Sequence, residues 1–275
     1  MVAPTVQDQA ACGRVDATRR APLARPQGDL MSQPRLTLPR VMAHRGLSAH
    51  APENTLSAVR AAHEAGSTWV ELDVQLLGDG TPVIWHDAGM RRCSNGRGKL
   101  AKLRLEQAKA FDVGAWFSAG FRGERIATLD DMLTLIDTLG LGLNLELKVT
   151  RGRDPEALAE SVISRLLEAL PFERRLVSSF SPAALSHARS LADPSRLALG
   201  VLTDAVPKNW RSQMAAVQAF SLHCDWKRLK EKRARDIHQA GVPLVCYTAN
   251  DPIAFGPCWD WGVECVISDD PPRFG

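Results

Sequence analysis

Val41-Met42-Ala43-His44-Arg45-Gly46, then Thr68-Trp69-Val70-Glu71-Leu72-Asp73, then Pro82-Val83-Ile84-Trp85-His86-Asp87 decide how this sequence folds. Each is a short apolar run that ends in a cluster of ionisable residues. Runs of this length and composition read as buried parallel strands. Polar residues at the carboxyl ends of successive parallel strands converge on one rim, where closed α/β barrels build their sites. Two histidines and paired acids on such a rim supply the groups for proton transfer and for a divalent cation.

The alternation continues outward from this stretch. Strands are expected at 41–44, 69–74, 82–85, 142–147, 175–179, 197–201, 219–222, 243–247 and 264–267. Amphipathic helices are expected over Thr55–Ala65, Leu129–Leu139, Pro155–Leu170, Pro182–Leu191, Trp226–Ala240 and Asp251–Trp261. Asn54-Thr55 offers a cap for the first helix. Asp154-Pro155, Ser181-Pro182 and Asp251-Pro252 each place proline at a first helical position. Gly66, Gly140, Gly241 and Gly262 close helices before the next strand. About eight strand–helix units suit a TIM (β/α)8 barrel. A doubly wound open sheet is the rival, without a glycine-rich phosphate loop to support it. Residues 88–127 break the alternation after the third strand. They read as a small insertion, with some helix over Lys102–Phe111, folded over the rim beside the site.

The chain of 275 residues carries a formal charge of +3, with 45% hydrophobic and 24% charged residues. That balance gives no argument for nucleic acid or a membrane surface, and no apolar run reaches the roughly 18 residues of a membrane span. Cys12, Cys93, Cys224, Cys246, Cys258 and Cys265 show no paired spacing and read as free thiols in a reducing compartment. Arg19-Arg20 resembles an export signal, but Ala21–Gln27 holds two prolines and an arginine instead of an apolar stretch. A cytoplasmic location is therefore expected. Residues 1–38 read as a disordered extension, with Met31 as an alternative start, and residues 39–275 as one barrel domain.

His44 and His86 each have a bland reading as core histidines bonded to backbone. Their matching positions, each at a run's end with Arg45 or Asp87 following, favour an acid/base pair. Asp87 either orients an imidazole or caps a turn. Glu71 and Asp73 share one strand face, and Glu146 ends another strand. Buried acids need a partner. Three oxygen ligands suit Mg²⁺ or Ca²⁺, and the rival is a metal-free ion-pair network with Arg45 and Lys148. Arg45 and Lys148 also suit a phosphate.

The whole constellation resembles the glycerophosphodiester phosphodiesterases of the short, cytosolic bacterial type, a TIM-barrel family. The matching motifs run in order over residues 41–270. They are His44-Arg45-Gly46, Ala51-Pro52-Glu53-Asn54-Thr55, Glu71-Leu72-Asp73-Val74, Trp85-His86-Asp87 and Arg92-Cys93-Ser94-Asn95-Gly96. Further on come Leu145-Glu146-Leu147-Lys148, Ser178-Ser179-Phe180, Tyr247-Thr248-Ala249-Asn250 and Gly262–Asp269. The resemblance implies His44 and His86 as the acid/base pair and Glu71, Asp73 and Glu146 as cation ligands. It also implies Arg45 and Lys148 at the phosphate, and Glu53 in the first loop near the metal, beside Asn54. Tyr247 stands where the family often has tryptophan, and His223 at a late strand end is expected to face substrate. The implied reaction cleaves a small glycerophosphodiester, such as glycerophosphocholine, to sn-glycerol 3-phosphate and an alcohol. The alternatives are a lysophospholipase D, which needs an exposed apolar channel, and a phosphate-ester binding protein without chemistry.

Overall fold

The computed structural model describes residues 1–2 and 36–275. The extension expected to be disordered thus falls outside the described residues except at its ends. Leu36 and Leu38, at its C-terminal end, are buried in the barrel interior beside Met42 and Ile267.

Among the described residues nine strands form one sheet: β1 (Val41–His44), β2 (Trp69–Leu76), β3 (Pro82–Ile84), β4 (Gly142–Leu147), β5 (Arg175–Ser179), β6 (Ala198–Thr203), β7 (Ser221–Asp225), β8 (Leu244–Tyr247) and β9 (Cys265–Ser268). Eight of them are parallel, and β1 pairs with both β9 and β2, which closes the barrel. Helices α1 (Leu56–Glu64), α2 (Leu105–Lys109), α3 (Leu129–Thr138), α4 (Pro155–Ala169), α5 (Pro182–Leu191), α6 (Trp210–Ala216), α7 (Glu231–Gln239) and α8 (Pro252–Asp260) connect them. The fold is a TIM barrel with one extra strand.

That extra strand is β3, and it corrects the expectation for residues 82–85. β3 pairs antiparallel with β2, Val74 opposite Ile84 and Leu76 opposite Pro82. The connection between them is only residues 77–81. A parallel crossover needs a dozen residues or more, so so short a link makes a hairpin. His86 therefore reaches the rim on a strand that turns back towards it, while His44 arrives on a barrel strand.

Other boundaries follow local chemistry. Thr55 caps α1 by accepting from the Ala58 amide, while Asn54 turns to a different task. Asp154, Ser181 and Asp251 cap the proline-led helices as expected. The expected helix over 226–240 is split into a 3-10 turn at Trp226–Arg228 and α7. Asp225 accepts from the Lys227 amide and holds that turn apart. Helix α6 went unforeseen: it is short, and no side chain caps it at Asn209.

Among the described residues three apolar clusters hold the fold. The largest lies between the sheet and the helices, including Leu72, Ile136, Leu145, Val162 and Phe255. A second fills the lower barrel around Met42, Trp69, Leu176 and Val245. The third, with Trp85, Met90, Leu100, Val113 and Ile126, gives residues 88–127 a core of their own. Among the described residues no helix is long and apolar enough to cross a membrane. Cys93, Cys224, Cys246, Cys258 and Cys265 are buried free thiols, and Cys12 lies outside the described residues.

Candidate active site

The site begins with backbone at the end of β1. Arg45 and Gly46 take positive φ values of 55° and 80°. A side chain at residue 46 would meet the Ala58 carbonyl group within 3 Å, so glycine is required where the loop folds onto α1. Arg45 holds a conformation that costs free energy for a non-glycine residue, as functional positions often do. Its amide donates to the Glu71 carbonyl at 2.7 Å, which fixes the turn to β2.

Glu71 and Asp73 project from β2 and Glu146 from the adjoining β4, with Asp73 and Glu146 opposite each other in register. One oxygen from each lies within 4.8 Å of the others. All three are buried, and burial together with Asp73 and Glu146 pushes the Glu71 carboxyl well above its ordinary value. Burial and Asp73 likewise push Glu146 up to about 7, against the pull of Lys148. Burial would raise Asp73 too, but Arg45, Lys148 and His86 outweigh it and bring that group down to about 2. Crowded, buried, oxygen-only donors that resist ionising together are what a hard divalent cation relieves, so the residues fit such an ion.

Two cations already lean on this cluster. Arg45 Nε lies 3.2 Å from Asp73, and Lys148 Nζ lies 2.9 Å from Glu146 and 3.4 Å from Asp73. Asn54 donates to Asp73 Oδ2 at 2.9 Å and accepts from the Asp73 amide at 3.1 Å. Glu53 takes Arg45 on one side at 2.7 Å and the guanidinium of Arg92 on the other at 2.6 Å. Glu53 is thus occupied by two arginines and supports Arg45 instead of facing the acid cluster.

Each histidine has its own carboxylate. His44 Nδ1 meets Asp269 Oδ1 at 2.6 Å, and its Nε2 points towards Glu71 at 3.8 Å. His86 Nδ1 meets Asp87 Oδ1 at 2.7 Å. Asp87 is also gripped by Arg92, at 2.8 and 2.9 Å, and those bonds bring its pKa down to about 2. An alternating chain of charge therefore runs Asp73–Arg45–Glu53–Arg92–Asp87–His86. Burial lowers the pKa of His86, partly offset by Asp73. Asp269 is also low: burial would raise it, but bonds from His44, Asn250 and Ser48 prevail.

A cleft of about 170 Å³ collects His44, Arg45, Glu71, His86, Glu146, Lys148 and Tyr247 on its walls. Tyr247 donates to the Thr203 carbonyl at 2.8 Å and meets the Phe180 ring edge-on at 6.1 Å. His223 is not on these walls. It is fully buried inside the barrel, bonded to Ser221 at 2.8 Å, and burial pushes its pKa down to about 3. Gly200 presses against its ring so closely that a Cβ there would clash with it.

Several residues at the site carried no role in the sequence reading. Asp269 and Arg92 stood inside quoted motifs without a task. Gln75 follows Asp73 by two residues on the same strand face, a period-2 signal that was there to be used. Its side-chain amide donates to the carbonyls of Trp85, His86 and Asp87 at 2.8, 2.8 and 3.1 Å. Asn144, two residues before Glu146, is fully buried at the cleft with both amide atoms unpartnered.

A profile of the glycerophosphoryl diester phosphodiesterase family matches residues 44–273. A glycerophosphodiester phosphodiesterase of Caldanaerobacter subterraneus subsp. tengcongensis is 33% identical over 232 residues, covering 84% of this chain and 94% of that protein. A Bacillus subtilis glycerophosphodiester phosphodiesterase is 26% identical over 264 residues, covering 90% of this chain and 88% of that protein. The structure of an Oleispira antarctica phosphodiesterase in complex with the product sn-glycerol-3-phosphate superposes with a TM-score of 0.82 at 35% identity, covering 86% of this chain and 95% of that one.

Proposed function

We propose that this chain, which belongs to the glycerophosphoryl diester phosphodiesterase family, hydrolyses small glycerophosphodiesters such as glycerophosphocholine and glycerophosphoethanolamine to sn-glycerol 3-phosphate and an alcohol. The observation that carries this reading is the convergence on one cleft of two carboxylate-bound imidazoles, Glu71 and Glu146 of the acid cluster, and the Arg45–Lys148 pair.

Arg45 and Lys148 face the non-bridging phosphate oxygens, where charge grows in the transition state. Glu71, Asp73 and Glu146 would hold one divalent cation, Mg²⁺ or Ca²⁺, which would supply further positive charge to that phosphate. His86, whose pKa burial lowers, takes the proton from the attacking oxygen, from water or the glycerol 2-hydroxyl. His44 returns a proton to the departing alcohol. Asp269 meets only His44 and the neutral Asn250 and Ser48 among the described residues, so its charge compensates the protonated ring. Asp87 shares its charge with Arg92 and is the weaker compensator. Tyr247 walls the alcohol side. The mechanism assigns no step to His223. A cytoplasmic location is supported by the buried free thiols.

Turnover of glycerophosphocholine by single-site variants tests the assignment. His44→Ala and His86→Ala should each lower kcat by about 10²–10⁴-fold. Near-full turnover in either would remove that histidine from the mechanism.

A further inference from the structure

Two polar side chains of the barrel interior stand beside the acid cluster without a partner. Asn144 on β4 and Ser178 on β5 are 0% and 1% exposed, and both border the catalytic cleft. Among the described residues neither atom of the Asn144 amide, nor the Ser178 hydroxyl, has a hydrogen-bond partner. Buried donors left unpaired are costly and rare, so two of them at one cleft point to bonds made when the site is loaded.

Sheet register selects a partner for each. Asn144 lies opposite Glu71 on β2 and Leu176 on β5. Ser178 lies opposite Glu146 on β4 and Gly200 on β6. Strands run about 4.8 Å apart, so residues in register are side-chain neighbours on one face. Leucine and glycine bring no polar group. The polar neighbour in register is therefore Glu71 for Asn144 and Glu146 for Ser178.

The third acid already has its donors. Asp73 accepts from Asn54 at 2.9 Å and faces Arg45 and Lys148. Among the described residues Glu71 accepts only from the Arg45 amide, at 3.4 Å, with His44 Nε2 at 3.8 Å. Glu146 meets Lys148 alone, at 2.9 Å. A buried carboxylate that gives one oxygen to a cation keeps lone pairs that still need a donor. Hydrogen bonds of that kind orient ligating carboxylates for their metal.

We propose that Asn144 and Ser178 are positioning residues for the divalent cation. The Asn144 amide donates to Glu71 and the Ser178 hydroxyl to Glu146 when the ion is bound, as Asn54 does for Asp73. This deepens the reading of Glu71, Asp73 and Glu146 as a cation site and rests on it.

Calorimetric titration of EDTA-stripped protein with Ca²⁺ and with Mg²⁺, beside thermal unfolding without cation, tests the assignment. Asn144→Leu and Ser178→Ala should each weaken cation affinity by about 10–100-fold. Cation-free melting should stay level or rise in both, because an unpaired buried group has been removed. If Asn144→Leu does not fold, Ser178→Ala, the smaller change, decides. Unchanged cation affinity in the folded variants overturns the proposal. A fall in cation-free melting also overturns it, since that marks a purely structural role. An unmodified protein that binds neither ion removes the cation-site reading and the proposal together, whereas binding that the variants retain removes the proposal alone.

Discussion

At the scale of single residues, the two histidines are told apart by what stands behind them. Asp87 serves both His86 and Arg92, whereas Asp269 serves His44 with only neutral groups beside it. Asp269→Asn should lower kcat by about 10²-fold or more with little change in KM, because the ring loses its orientation and its compensating charge. Steady-state kinetics reads this directly, and an unchanged kcat would show that His44 needs no partner. Arg92 governs Asp87 in turn. With Arg92 present the Asp87 carboxyl titrates at about 2, below the roughly 3.9 of an unfolded aspartate. The pairing therefore stabilises the fold above about pH 4 and fades as pH falls towards 2. Arg92→Ala should move the Asp87 titration up towards its ordinary range and flatten that part of the acid-unfolding profile. Carbon NMR of the carboxyl groups measures the shift, and an Asp87 that stays at its low value would show that His86, not Arg92, sets it.

Among elements, the β2–β3 hairpin is where sequence and structure part. The apolar run Pro82–Trp85 looks the same whether its strand runs parallel or antiparallel, so composition alone assigned it to the barrel. Direction was legible in the loop length between Leu76 and Pro82, which no crossover can fit. The consequence is that His86 depends on side-chain anchoring more than on sheet register. Gln75 provides that anchoring through three carbonyls and is only 4% exposed. Gln75→Leu should lower stability by roughly 1–3 kcal/mol through the carbonyls left unpaired. It should also cut turnover, since small misplacements near the chemistry are costly. Urea unfolding and kinetics together check this, and full activity at unchanged stability would contradict it. Helix α6 was illegible for a plainer reason: it spans only seven residues, and Asn209 makes no side-chain capping bond.

For the molecule as a whole, most of the barrel was legible because its strands are buried on both faces and read as continuous apolar runs. β6 and β7 extended further than expected because Thr203, His223 and Asp225 are polar residues within true strands. The histidines were legible at the ends of apolar runs, and Glu71 and Asp73 by their shared face on β2. What sequence withheld was pairing across the closure of the barrel. Asp269 follows the last strand and His44 ends the first, and only the β1–β9 contact brings them together. The same closure places the basic residues and acids around one cleft, and the central claim is that this cleft is a cation-assisted phosphodiesterase site. Its most direct test is release of glycerol 3-phosphate from glycerophosphocholine by purified protein, with EDTA and then with Mg²⁺ or Ca²⁺ restored. Release should be lost under EDTA and return with either or both ions. Undiminished release under EDTA, or none from folded protein with both ions, would contradict it.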